Sequence, residues 1–93
     1  MGKYKIAISE QAKKHLALWQ KSGQEKAIKR IERIFRELSE TPYSGIGSPE
    51  QLKFNLTGCW SRQIDKKNRI IYIVKEEEII VLVVSAKGHY DDK

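Results

Sequence analysis

Glu50, Lys53, Arg62, Arg69 and the pair His89-Tyr90 are the residues of this sequence whose types could do chemistry together. His89 and Tyr90 follow an apolar run almost at the end of the chain, after Lys87-Gly88. Residues past a strand's end are poorly ordered unless something holds them, so packing alone does not call for a histidine and a tyrosine there. Histidine is also the side chain best matched to moving a proton near neutral pH. Glu50 follows Pro49, and Lys53 stands three residues on. The chain carries a formal net charge of +6 and a pI of about 9.5 over 93 residues. That balance favours a polyanionic partner, nucleic acid before an acidic protein. RNA is cut without a metal when a 2′-hydroxyl attacks the neighbouring phosphate. The reaction wants a base near that hydroxyl, an acid near the 5′-oxygen leaving group, and cations on the phosphate. The residues named above include a candidate for each part.

Each has a plainer reading too. Glu50 reads as a solvated loop carboxylate and Lys53 as a polar-face lysine. Arg62 could pair with Asp65 or a turn glutamate, Arg69 could simply flank a strand, and Trp60 could be packing. His15 lies near the apolar stripe of a helix and reads as structural or surface. Tyr4, Tyr43 and Tyr72 read as packing, and nothing marks Cys59 as a nucleophile. That single cysteine makes no internal disulfide, which argues for a reducing compartment. One Cys and two His fall short of a zinc pattern, and no cofactor motif is present. No stretch approaches the roughly 20 apolar residues of a membrane span, and the start has no signal-peptide character. The expected place is the cytoplasm, away from membranes.

The elements that must position these groups follow from periodicity. With 40% hydrophobic and 32% charged residues, the chain has the composition of one folded domain, 1–93. Lys5 to Ile8 reads as a short strand, and Ser9 as the N-cap of a helix over 10–21 bearing Ala12, Leu16 and Trp19. Ser22 and Glu25 are spaced as a capping box. Behind them Ile28, Ile31, Phe35 and Leu38 form the stripe of a second helix, which Thr41-Pro42 stops. Residues 43–49 form a loop. From Leu52 the period is two, with Leu52, Phe54 and Leu56 on one face. After the Thr57-Gly58 turn, Trp60, Arg62 and Ile64 alternate with Ser61, Gln63 and Asp65. Lys66-Lys67-Asn68 turns the chain into a strand from Arg69 to Val74, and Glu76-Glu77-Glu78 turns it into Ile79–Ser85. The last run is continuously apolar, which predicts a central strand buried on both faces. The order is β-α-α-β-β-β-β, an α+β fold with two N-terminal helices on one face of a twisted antiparallel sheet. The other face stays open, and its residues decide function.

These residues form a known pattern. Thr41-Pro42-Tyr43-Ser44-Gly45-Ile46-Gly47-Ser48-Pro49-Glu50-Gln51-Leu52-Lys53 resembles the "TPF-x-G-x-G-x-PE-x-LK" segment of the YoeB/Txe toxins. Asn55-Leu56-Thr57-Gly58-Cys59-Trp60-Ser61-Arg62 resembles their "NL[ST]G-x-WSR", Arg69-Ile70-Ile71-Tyr72 their "R-[LI]-[VI]-Y", and Gly88-His89-Tyr90 their closing Gly-His-Tyr. The resemblance spans essentially the whole chain. It implies a RelE-like, microbial ribonuclease-like fold and the toxin half of a type II toxin–antitoxin pair. Such toxins are endoribonucleases that cleave mRNA in the ribosomal A site and halt translation. Carried over by position, Glu50 is the general base, His89 the general acid, and Arg69 the stabiliser of the phosphorane-like transition state. Lys53, Arg62 and Tyr90 would bind or orient substrate. The implied partners are a YefM-like antitoxin, the ribosome and its mRNA. The implied assembly is a homodimer or a toxin–antitoxin hetero-oligomer, which meets operator DNA through the antitoxin.

The chain departs from the pattern at one position. The family commonly has two arginines after Trp-Ser, and here the second is Gln63. Neighbouring strand residues face opposite ways, so Arg62 does not replace a cation missing at Gln63. Two rivals accompany the ribonuclease reading. One is an RNA-binding domain with no catalysis, stacking bases on Trp60. The other is a degenerate toxin that serves only as an antitoxin partner.

Overall fold

The computed structural model describes residues 3–52 and 58–88. Strand β1 (Lys5–Ile8) leads into helix α1 (Glu10–Ser22). Ser9 caps that helix as its sequence predicts: its Oγ accepts from the Ala12 N–H at 3.0 Å and donates to the Val84 carbonyl at 2.7 Å. One hydroxyl thus both starts the helix and ties it to the sheet. Gly23, at φ 73°, ends α1 in the left-handed conformation that glycine adopts without a Cβ penalty. Helix α2 (Glu25–Leu38) follows. The expected Ser22/Glu25 capping box does not form. Gln24 is the N-cap and makes no side-chain cap bond. Ser22 still belongs to the last turn of α1, where its hydroxyl donates back to the Trp19 carbonyl at 2.6 Å.

Among the described residues four further strands join β1 in one sheet: β2 (Glu50–Gln51), β3 (Trp60–Gln63), β4 (Arg69–Lys75) and β5 (Ile80–Ser85), in the order β1-β5-β4-β3-β2. The pairs from β2 to β5 are antiparallel, as a meander requires. β1 departs from an all-antiparallel sheet by pairing parallel to β5, with Lys5 opposite Ile80 and Ile8 opposite Val83. A parallel partner needs a long crossover, and the path through α1 and α2 to the meander supplies it. β5 lies inside the sheet, but β4 is the middle strand. Burial along β5 alternates, so its unbroken apolar run reflects one enclosed face and one half-covered face. The strand expected from Leu52 onward differs: β2 is Glu50–Gln51, just before it, Leu52 itself is buried beyond the strand's end, and Phe54 and Leu56 lie outside the described residues. Asp65 has left the strand. Its Oδ1 accepts from the N–H groups of Lys67 and Asn68 at 2.8 and 2.7 Å, which builds the turn into β4.

The core fills the space between helices and sheet. Ala12, Trp19, Ile31, Ile34 and Leu38 meet Ile64, Ile70, Tyr72, Val81 and Val83, all buried. On the sheet's far face Ser61, Ile71 and Ser85 are buried as well, while Glu50 is exposed and Gln63 and Arg69 are half-buried. No helix among the described residues is long and apolar enough to cross a membrane.

Candidate active site

Alternation along β3 and β4 sorts the candidate residues by face. Trp60 and Arg62 stand opposite Tyr72 and Ile70, on the side that packs on the helices. Ser61 and Gln63 stand opposite Ile71 and Arg69, on the far side. β2 adds Glu50 directly opposite Ser61. The register thus gathers Glu50, Ser61, Gln63 and Arg69 on the far face, with Ser61 buried beneath the exposed Glu50 and the half-buried Gln63 and Arg69. Arg69 Nη1 lies 3.8 Å from Glu50 Oε1 and 3.5 Å from Ser61 Oγ. The Glu50 side chain is 56% exposed and that of Arg69 27%, so both are within reach of a ligand. A carboxylate and a guanidinium so placed can receive a proton and bind a phosphate side by side.

The segment that leads into His89 is fastened to the same place. The Arg69 N–H donates to the Gly88 carbonyl at 2.8 Å, and the Gly88 N–H donates to Asn68 Oδ1 at 2.7 Å. Two residues earlier, the indole of Trp19 donates to the Ala86 carbonyl at 2.6 Å and His15 Nδ1 accepts from the Ala86 N–H at 3.1 Å. His15 is thus structural, and burial together with the nearby Lys87 charge pushes its pKa below the ordinary value. Lys53, His89 and Tyr90 lie outside the described residues.

Arg62, expected to meet substrate, is instead fully enclosed. Its Nη1 bonds Glu37 Oε1 at 2.7 Å, its Nη2 donates to the carbonyls of Thr41 and Ser44 at 2.6 and 2.7 Å, and its Nε to Tyr72 Oη at 3.3 Å. With no exposure and these acceptors engaged, it does not face a ligand on the open side. Its partner is Glu37, a helix residue, rather than Asp65 or a turn glutamate. The signal was present in the sequence: Arg62 shares a face with Trp60 and Ile64, and a cation on a core face demands a buried anion. Burial pushes the Glu37 carboxyl up, but the Ile46 N–H and the Arg62 guanidinium outweigh it and hold its pKa below the usual value.

The tyrosines do more than pack. Tyr72 is buried and donates to the Pro42 carbonyl at 2.6 Å. Tyr4 and Tyr43 both donate to the Glu76 carboxylate, which lowers its pKa; Tyr43's own is pushed up to about 12. Trp60 packs partly buried against the core, with its ring 5.1 Å from that of Tyr43. Burial raises the Cys59 thiol, the opposite of nucleophile activation. Among the described residues no three His, Cys, Asp or Glu side chains converge as metal ligands would.

Residues 8–90 match the family model described as the YoeB-like toxin of bacterial type II toxin–antitoxin systems. The chain belongs to this family. Toxin YoeB of Synechocystis sp. is 37% identical over 86 residues, covering 92% of this chain and 96% of that protein. The solved YoeB/ParE toxin from Agrobacterium tumefaciens superposes with a TM-score of 0.85 at 28% identity, covering 92% of this chain and 99% of that one. In the heterotetrameric YoeB–YefM toxin–antitoxin complex from Staphylococcus aureus, one chain matches at a TM-score of 0.78 and 33% identity, over 94% of this chain and 98% of its own. The RelE-like α+β fold read from the sequence is the fold observed. Gln63, where the resemblance noted above would place a second arginine, stands directly opposite Arg69.

Proposed function

We propose that this family member is an endoribonuclease that cuts mRNA in the ribosomal A site. The observation that carries the reading is the approach of Glu50 to Arg69 on the open sheet face, 3.8 Å apart. A phosphodiester bound by Arg69 brings the 2′-hydroxyl of the preceding ribose toward Glu50. Glu50 takes the 2′-proton, the 2′-oxygen bonds to phosphorus, and Arg69 stabilises the charge that builds on the phosphorane oxygens. His89 gives a proton to the departing 5′-oxygen. The products are a 2′,3′-cyclic phosphate and a 5′-hydroxyl. Lys53 assists at the phosphate, and Tyr90 orients substrate or His89. Arg62 has no contact with substrate in this scheme.

The cellular setting follows the family. An antitoxin resembling YefM would cover the site, and acidic segments in it would suit a toxin of net charge +6. A homodimer, or a toxin–antitoxin hetero-oligomer that meets operator DNA through the antitoxin, would be the assembly, in the cytoplasm. One solved relative is a YoeB dimer from Staphylococcus aureus.

The test uses translating ribosomes with the full chain freed from its co-expressed antitoxin. Wild type should cut mRNA in the A site. Glu50→Ala, Arg69→Ala and His89→Ala should each lower the rate by about 10²–10⁴, the range of acid–base and electrostatic contributions. Intact mRNA with wild type, or undiminished cutting by all three variants, would refute the reading. RNA binding without cleavage would support the binding-domain rival.

A further inference from the structure

The Arg62 guanidinium has no exposure, and Nη2 donates twice to one feature, the loop between α2 and β2 that ends at Glu50, while its other partners, Glu37 and Tyr72, hold that loop in turn. Thr41 and Ser44 give it their carbonyls directly. Its partner Glu37 accepts the Ile46 N–H at 2.9 Å, and its neighbour Tyr72 holds the Pro42 carbonyl. Within itself the loop is tied by the Thr41 hydroxyl donating to the Ser44 carbonyl at 3.1 Å and the Ser44 N–H donating to the Thr41 carbonyl at 3.3 Å. Gly45 and Gly47, at φ of 134° and 83°, adopt positive φ without a Cβ penalty, whereas Ser48, at φ 50°, holds a left-handed conformation that costs a non-glycine residue energy and persists only when the surroundings impose it. There is no slack against the clamp: a Cβ on Gly45 would collide with the Glu37 carboxylate, and one on Gly47 would lie 3.1 Å from Arg62 Cβ. Gly47, three residues before Glu50, accepts from the Gln63 N–H at 2.7 Å.

A buried ion pair of this kind is poor evidence of stabilisation for its own sake, because apolar replacements often match it. Placement offers a better reason. β3 presents Arg62 toward the helices and the adjacent Ser61 toward the open face, where Ser61 pairs with Glu50 and meets Arg69. The same stretch of strand fixes the loop on one side and its catalytic end on the other. We propose that Arg62, seconded by Glu37, is a positioning residue that sets the Glu50 carboxylate against Arg69. The proposal rests on the reading of Glu50 as general base.

A double-mutant cycle separates positioning from simple structural support. Single-turnover cleavage of ribosome-bound mRNA at saturating toxin is measured for Arg62→Lys, Glu50→Gln and the double variant. Lysine keeps the charge but loses the planar fork that grips several acceptors at once. Arg62→Lys should lower the rate constant by about 10²-fold, the cost of a displacement near 1 Å, with mRNA binding unchanged. Glu50→Gln should lower it by about 10³-fold. The double variant should be no slower than Glu50→Gln alone, because a base that is absent needs no positioning. Losses that multiply would overturn the positioning role and leave Glu50 as base. An unchanged rate for Glu50→Gln would remove the base reading and this proposal with it. Where Arg62→Lys does not fold, Glu37→Gln enters the same cycle, since its amide oxygen still accepts a hydrogen bond.

Discussion

Gly45→Ala is the sharpest probe of the lock around Arg62. The residue's φ of 134° is one that L side chains rarely adopt, so alanine there costs about 1 kcal/mol or more in backbone strain. The new Cβ would also collide with Glu37 Oε1 and stand 2.8 Å from Arg62 Nη1. Glu37 must swing away, weakening its bonds to Arg62 and to the Ile46 N–H. Hydrogen bonds to charged groups contribute about 1.5–3 kcal/mol each, and the 22% exposure of the Glu37 side chain argues for the low end. Counting one such bond lost outright gives a total near 3 kcal/mol. A domain of this size loses roughly 4–8 °C of Tm per kcal/mol, so a fall of about 15 °C is expected in a circular-dichroism melt. Gly23→Ala is the control: its φ of 73° carries a similar backbone strain, but no atom stands within 4 Å of the new Cβ. It should lose only about 5 °C. Gly45→Ala melting no lower than Gly23→Ala would refute the lock as described.

Other outcomes follow from the same geometry. His15 is held below its usual pKa, so the folded state resists a proton that the unfolded chain accepts. Its contribution is therefore complete above about pH 6.5 and lost as pH falls below that value. Wild type should lose Tm between pH 7 and 5, and His15→Gln should lose less over that window; parallel curves would contradict this. Glu37, also held below its usual pKa, adds a second loss of stability beginning below about pH 4.5, absent in Glu37→Gln. Gln63→Arg places a cation opposite Arg69 on the open face and should raise RNA cleavage by about 3- to 10-fold, roughly 1 kcal/mol of added phosphate binding. Unchanged cleavage would show that this position does not meet the phosphate.

Much of this was legible because local chemistry and pattern agreed. Ser9 capped the helix it preceded, and the two-residue period put Ser61 and Gln63 on one face; the register that sets Arg69 opposite Gln63 came only with the structure. The approach of Arg69 to Glu50 needed one further fact, the Glu50–Ser61 pairing, which periodicity does not supply. Arg62 was misplaced because its charge was weighed above its parity with Trp60 and Ile64. The Ser22/Glu25 spacing matched a capping box, but Gly23 ended one helix before Ser22 could begin the next. The clamps on Ala86 and Gly88 by Trp19, His15 and Asn68 join residues 20 to 71 positions apart, and no local signal announces such pairs.

The central claim is that a 2′-hydroxyl, deprotonated by Glu50, attacks a phosphate held by Arg69. The most direct measurement replaces the single ribose on the 5′ side of the scissile phosphate with 2′-deoxyribose in an mRNA bound to the ribosome. Wild-type toxin should cut the all-ribose mRNA to a 2′,3′-cyclic phosphate and a 5′-hydroxyl, and should leave the deoxy-substituted mRNA whole at that site. Cutting of the deoxy-substituted bond at an undiminished rate would show that another nucleophile does the work.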